Sequence, residues 1–80
     1  MASAHKITIF STPTCGYCKL AKDFLQKQGI GYTEKDVFQD IAAREDMVAR
    51  SGQYGVPVID IDGQLIVGFD RGRMKELLGI

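Results

Sequence analysis

The chain opens with alternation and then changes period. Lys6-Ile7-Thr8-Ile9-Phe10 is short, β-branched and aromatic, and Ser11-Thr12-Pro13-Thr14 behind it holds turn and cap residues; this predicts a first strand over 6–10. From Cys18 to Gln28, Leu20, Ala21, Phe24 and Leu25 recur three to five residues apart. Lys19, Lys22, Asp23 and Lys27 fill the other face as a solvated surface, and Gly29 supplies a stop. That spacing predicts an amphipathic helix. Ile30 to Val37 returns to β-formers, and Asp40 can cap a second helix with Ile41, Ala43, Met47 and Val48 on its apolar side, ending at Ser51-Gly52.

The rest of the chain reads as a hairpin and a last helix. Val56 to Ile61 and Gln64 to Val67 are strand-like and joined by Asp62-Gly63, a strong hairpin signal. Asp70 can cap a helix carrying Met74, Leu77 and Leu78, with Gly79 behind it. The order is βαβ-α-ββα, an α/β class. A βαβ unit implies a parallel pair with a right-handed crossover and the hairpin an antiparallel one, so the sheet must be mixed, with helices on both faces. Met47 and Met74 are expected in the core. There is no repeat, linker or low-complexity stretch.

Eighty residues with 45% hydrophobic side chains support one small core, so 1–80 is expected to be one domain. Ten basic and ten acidic residues give zero net charge, which removes the electrostatic footprint of a nucleic-acid or membrane-surface binder. The opening Met1 to Lys6 is not followed by an apolar signal-peptide run, and nothing approaches a membrane span. The expectation is a soluble, monomeric, cytoplasmic protein. In a reducing compartment a close cysteine pair means redox chemistry or metal more often than a permanent crosslink.

That pair is Cys15-Gly16-Tyr17-Cys18, between the first strand and the first helix. Residues three apart in a straight helix hold their Cβ atoms about 5–6 Å apart, and a disulfide needs roughly 3.5–4.5 Å, so Cys15 is expected at the cap, exposed, with Cys18 sheltered. Backbone N–H groups and the helix dipole then favour the Cys15 thiolate. Lowering its pKa from about 8.5 to about 5 takes roughly 5 kcal/mol, whereas a helix terminus gives about 0.3–2. Direct hydrogen bonds near Tyr17 and Cys18, with the Lys19 ammonium, must supply the difference. A moderately depressed pKa is expected for Cys15 and a near-normal one for Cys18. A zinc site needs about four ligands; the chain offers two cysteines and His5 on a terminus expected to fray, so no metal is expected. Tyr17 is expected on the rim.

With these residues in place the chain resembles the glutaredoxin family over nearly its whole length. The stretches that carry the resemblance are Ile9-Phe10-Ser11 before Cys15-Gly16-Tyr17-Cys18-Lys19, then Ser51-Gly52-Gln53-Tyr54-Gly55-Val56-Pro57, then Asp62-Gly63 leading to Gly68-Phe69-Asp70. The resemblance implies a thioredoxin fold, a four-stranded mixed sheet flanked by three helices, with Pro57 cis and facing the cysteines. It implies thiol–disulfide exchange: Cys15 attacks a substrate disulfide, Cys18 resolves the mixed disulfide, and no organic cofactor is tightly bound. It also implies substrate binding by Tyr17, Val56, Pro57, Gly68 and Asp70, the Val56 backbone and Asp70 meeting the γ-glutamyl end of glutathione as co-substrate. Disulfide-containing proteins are the other implied partners.

The resemblance is incomplete at four positions. Thr12 stands where many glutaredoxins have lysine, Tyr54 where arginine or glutamine is common, Val67 replaces a glycine, and Arg71 often replaces an acidic residue. Losing a cation that holds a carboxylate costs about 1.5–3 kcal/mol, for which Lys19 or Arg71 are the available substitutes. Gly68-Phe69 is also similar to redoxins that serve ribonucleotide reductase and are recharged by thioredoxin reductase, so that enzyme is the alternative reductant. Gly16, in place of proline, resembles glutaredoxins that dimerise around a [2Fe–2S] cluster; the second cysteine, unneeded there, favours the oxidoreductase.

Overall fold

Ile7, Ile9 and Phe10 are apolar on both sides of the chain, which suits a strand covered on both faces. In the computed structural model, which describes residues 5–80, β1 occupies Ile7–Ser11. Met1 to Ala4, read above for an export signal, lie outside the described residues. The strand is shifted one residue along from expectation because Ser11 pairs with Asp36 in a parallel ladder.

The first helix, α1, spans Gly16–Lys27 and so begins two residues before the expected Cys18, because its cap is Cys15. Ala21, Phe24 and Leu25 are buried as the periodicity requires, but Leu20 is half exposed. Gly29, at φ +71°, turns the chain out of the helix, and Ile30 N–H closes the turn on the Leu25 carbonyl. β2 is shorter than the predicted 30–37: it runs Thr33–Asp36, while Ile30 and Tyr32 pack against the core without joining the ladder.

α2, Ile41–Ser51, begins at Asp40, whose carboxylate accepts from Ala43 N–H at 3.0 Å. It buries Ala43 and Met47 and leaves Ile41 exposed, against expectation. β3 is Val58–Ile61 and β4 Gln64–Val67; Val56 and Pro57 precede β3 and are joined by a cis peptide bond. Asp62 and Gly63 both have positive φ, the geometry of the two-residue hairpin turn that Asp-Gly predicts. α3, Arg71–Leu78, starts at Asp70, whose carboxylate accepts from Arg73 N–H at 3.0 Å.

The strand order is β2-β1-β3-β4, with β1 parallel to β2 and the other pairs antiparallel. With the three helices this is a thioredoxin fold. α1 and α3 pack on one face, where Ala21, Phe24, Leu25, Met74 and Leu78 meet Ile7, Ile9, Ile59 and Ile61. α2 covers the other, where Ala43 and Met47 meet Phe10, Val37 and Val58. Each fully buried Ile, Leu or Phe contributes about 1.5–3 kcal/mol relative to exposure. Both expected methionines, Met47 and Met74, lie in these clusters. Among the described residues no helix is long and apolar enough to cross a membrane.

The register sets the geography of the site. The ends of β1, β2 and β4 and the start of β3 lie at one end of the sheet. The Thr12–Cys15, Val56–Pro57 and Gly68–Asp70 segments therefore emerge together.

Candidate active site

Cys15 has extended backbone, φ −87° and ψ 111°, and its Sγ accepts the N–H of Cys18 at 3.1 Å. A sulfur at this cap satisfies a donor the helix leaves unpaired and faces the positive end of its dipole. The Cys15 carbonyl also accepts from Lys19 N–H at 3.3 Å, so side chain and main chain of one residue start the helix together. Cys15 is partly exposed and Cys18 is 1% exposed, both as free thiols.

The expectation of an ordinary thiol at Cys18 needs correction. Burial, then its side-chain hydrogen bond with Cys15, push its pKa up to about 12. Removing water from around the anion is the main cause, and a motif spacing carries no information about it.

Of the other expected site residues, Tyr17 is 66% exposed. Pro57 is buried and Val56 half-buried. The Gly68 N–H donates to the Pro57 carbonyl at 2.7 Å, which ties the loop after β4 to the segment before β3. Gly68 has φ +86°, a conformation that side chains resist. Asp70 is exposed, with Oδ1 engaged as the cap of α3. Phe69 fixes this loop from beneath, edge-on to Phe24 with ring centroids 6.5 Å apart, and the Arg71 guanidinium sits over the same Phe24 ring at 5.8 Å.

Two expectations about charged residues change. His5 is not frayed: its Nδ1 is 2.6 Å from Asp62 Oδ2, and the Lys6 N–H donates to the other oxygen of that carboxylate. Lys22 is not a plain solvated side chain, since its Nζ donates to Glu34 Oε2 at 2.8 Å, and the same oxygen accepts from the buried Ser11 hydroxyl at 2.8 Å. These bonds hold the Glu34 carboxyl below its usual range and raise Lys22. Among the described residues no group of three or more His, Cys, Asp or Glu side chains is placed to hold a metal ion.

A cleft of about 540 Å³ opens beside Cys15, lined by Thr12, Thr14, Lys19, Lys22, Tyr32 and Glu34 among others. None of Tyr17, Val56, Pro57, Gly68 and Asp70 lines it. Sequence reasoning missed Ser11 and Glu34. The pairing of β1 with β2 joins them, and only a correct register would have indicated it.

The Glutaredoxin family profile matches residues 7–66. The chain is 44% identical over 72 residues to a glutaredoxin-like 8.6 kDa protein in the rubredoxin operon of Clostridium pasteurianum, covering 90% of this chain and 96% of that one. It is 41% identical over 64 residues to glutaredoxin 3 of Escherichia coli, covering 80% and 77%. Among solved structures, the thioredoxin-like protein BC3987 superimposes with a TM-score of 0.85 at 33% identity, over 90% of this chain and 99% of that one. A buckwheat glutaredoxin–glutathione complex superimposes with a TM-score of 0.74 at 27% identity, over 98% and 74%.

Proposed function

The chain belongs to the glutaredoxin family and is a thiol–disulfide oxidoreductase, and we propose that it reduces protein disulfides and glutathione mixed disulfides with Cys15 as nucleophile and Cys18 as resolving thiol. The observation that carries the assignment of roles is the asymmetry of the pair: Cys15 Sγ is reachable and accepts a backbone N–H, while Cys18 is enclosed one turn deeper.

The Cys15 thiolate attacks one sulfur of the substrate, the substrate S–S bond breaks, and the departing thiolate takes a proton from solvent. Cys18 then loses its proton and attacks Cys15 Sγ. The mixed disulfide breaks, the substrate leaves as a thiol, and the enzyme holds a Cys15–Cys18 disulfide, two electrons having passed to the substrate. Two equivalents of thiol reductant reopen it.

Glutathione is the proposed reductant. The Val56 backbone would pair with its extended main chain, Tyr17 and Pro57 would flank it, Gly68 would admit it closely, and Asp70 Oδ2 would take its γ-glutamyl ammonium. The buckwheat relative solved with glutathione supports this choice. We place the protein in the cytoplasm, where a reduced thiol pair persists, acting as a one-domain monomer without a tightly bound cofactor.

The test is a pair of NADPH-coupled assays on one disulfide substrate, one with glutathione and glutathione reductase, the other with thioredoxin reductase. Turnover with glutathione is expected. Turnover only with thioredoxin reductase would reassign the reductant, and none with either would remove the proposed activity.

A further inference from the structure

Resolution sets a problem that the active-site pair does not solve alone. Cys18 attacks as a thiolate, and it lies where burial opposes ionisation. Once Cys15 is tied up in a mixed disulfide, its charge no longer opposes Cys18, but the burial remains.

Lys22 follows Cys18 by four residues on α1, a spacing that stacks two side chains on one helix face. Its side chain is only about a quarter exposed, at 26%, and its Nζ is bound to Glu34 Oε2. That oxygen also accepts from Ser11, a hydroxyl 1% exposed at the end of β1. The arrangement joins three elements around one carboxylate oxygen in the wall of the cleft that contains Cys15. As a stability device such a pair contributes little. As an electrostatic device it places a cation one helical turn after the resolving thiol and pairs that cation with an anion on β2 whose side chain is 41% exposed.

We infer that Lys22 and Glu34 are positioning residues acting as opposed charges on the resolving step, Lys22 favouring the Cys18 thiolate and Glu34 restraining it. The inference rests on the resolving role proposed for Cys18. The titratable groups acting on Cys18 are Cys15 and Lys22, so Glu34 acts on it through Lys22; those acting on Lys22 are Cys18 on its own helix and Glu34 and Tyr32 from the β2 side, while β1 supplies the uncharged Ser11. Lys22 is raised by Glu34 and stays protonated, so it acts through charge and is not the base. The Cys18 proton passes to solvent.

The physical signature is one of sign. Glu34→Gln and Lys22→Met break the same ion pair, and a purely structural pair would respond alike to both. A charge device responds oppositely, because the first leaves an uncompensated cation and the second an uncompensated anion. A tenfold change in thiolate population alters rate by about threefold, since nucleophilicity falls with pKa at a Brønsted slope of about 0.4–0.5.

The experiment mixes reduced protein with excess 5,5′-dithiobis(2-nitrobenzoate) and follows release of the coloured thiolate. The first phase reports attack by Cys15 and depends on reagent concentration; the second, concentration-independent, reports resolution by Cys18. We expect Glu34→Gln to speed the second phase about threefold and shift its pH profile to lower pH. Lys22→Met should slow it by a similar factor, and the double variant should fall close to the parent. Shifts of both single variants in the same direction, or none in proteins with native circular dichroism, would overturn the inference. If the parent lacks a concentration-independent second phase that Cys18→Ser abolishes, the resolving role itself falls, and this inference with it.

Discussion

The backbone N–H of Cys18 donates to the Sγ of Cys15 over 3.1 Å. One bond thereby caps α1 and holds the Cys15 sulfur in place, so the atom that starts the helix is also the proposed nucleophile. A serine at the cap would keep the helix, because its hydroxyl accepts the same kind of bond, but would lose the chemistry.

Cys15→Ser is therefore expected to fold with stability within about 1 kcal/mol of the parent and to lose disulfide reduction in the NADPH-coupled assay. Cys18→Ser should accumulate a covalent adduct at Cys15, visible as added mass in intact-protein spectrometry and removed by excess thiol. Full turnover by Cys15→Ser would reverse the assigned roles.

Burial of Cys18 predicts a particular alkaline limb. Its pKa lies at about 12 in the folded protein, above the ordinary 9.0. The unfolded chain releases this proton first as pH rises, so the native state binds more protons across the window between the two values, and stability must fall with increasing pH there. The slope approaches 1.36 kcal/mol per pH unit for one such group. Unfolding free energies of the reduced protein from denaturant melts at pH 8 and pH 10.5 should differ by about 1–2 kcal/mol more for the parent than for Cys18→Ala. Equal pH dependence would show that Cys18 does not titrate abnormally.

What could be read from the sequence was mostly local. The Asp40 and Asp70 caps, the Asp62-Gly63 turn, the strand-turn-helix placement of Cys15 and the buried Met47 and Met74 all follow from neighbours a few residues apart. The misses have a different origin. Leu20 and Ile41 fit an apolar stripe yet face outward, because periodicity gives the phase of a helix without saying how far its neighbours extend. β2 ends where pairing with β1 ends, and Ile30 and Tyr32 pack on the core outside the ladder. Ser11 and Glu34 are twenty-three residues apart and meet only through strand register. The ionisation of Cys18 likewise depends on the volume that surrounds it.

The loop after β4 gives a prediction that separates binding from chemistry. Phe69 packs edge-on to Phe24, an arrangement worth about 0.5–1.5 kcal/mol beyond area burial, and it carries Gly68 and Asp70 on either side. Phe69→Ala should lower stability by about 1–2 kcal/mol. Its KM for a glutathione mixed disulfide should rise severalfold, with kcat retained within about a factor of two, since Cys15 and its cap lie on a different element. Loss of kcat at unchanged KM would place Phe69 in the reacting geometry instead.

Asp70 serves two ends, and one substitution divides them. Its Oδ1 accepts the Arg73 N–H at the start of α3, and its charge is the one we assign to the ammonium of glutathione. Asparagine caps a helix about as well as aspartate, so Asp70→Asn should shift stability by less than about 0.5 kcal/mol while removing the charge. A hydrogen bond to a charged group contributes about 1.5–3 kcal/mol, so glutathione affinity, read as KM in the coupled assay, should weaken by roughly ten- to a hundredfold. Asp70→Ala should show the same weakening together with a stability loss of about 1 kcal/mol. If Asp70→Asn instead keeps parental affinity, the γ-glutamyl group is held elsewhere, and the Lys19 and Arg71 cations become the first places to look for the contacts that orient glutathione.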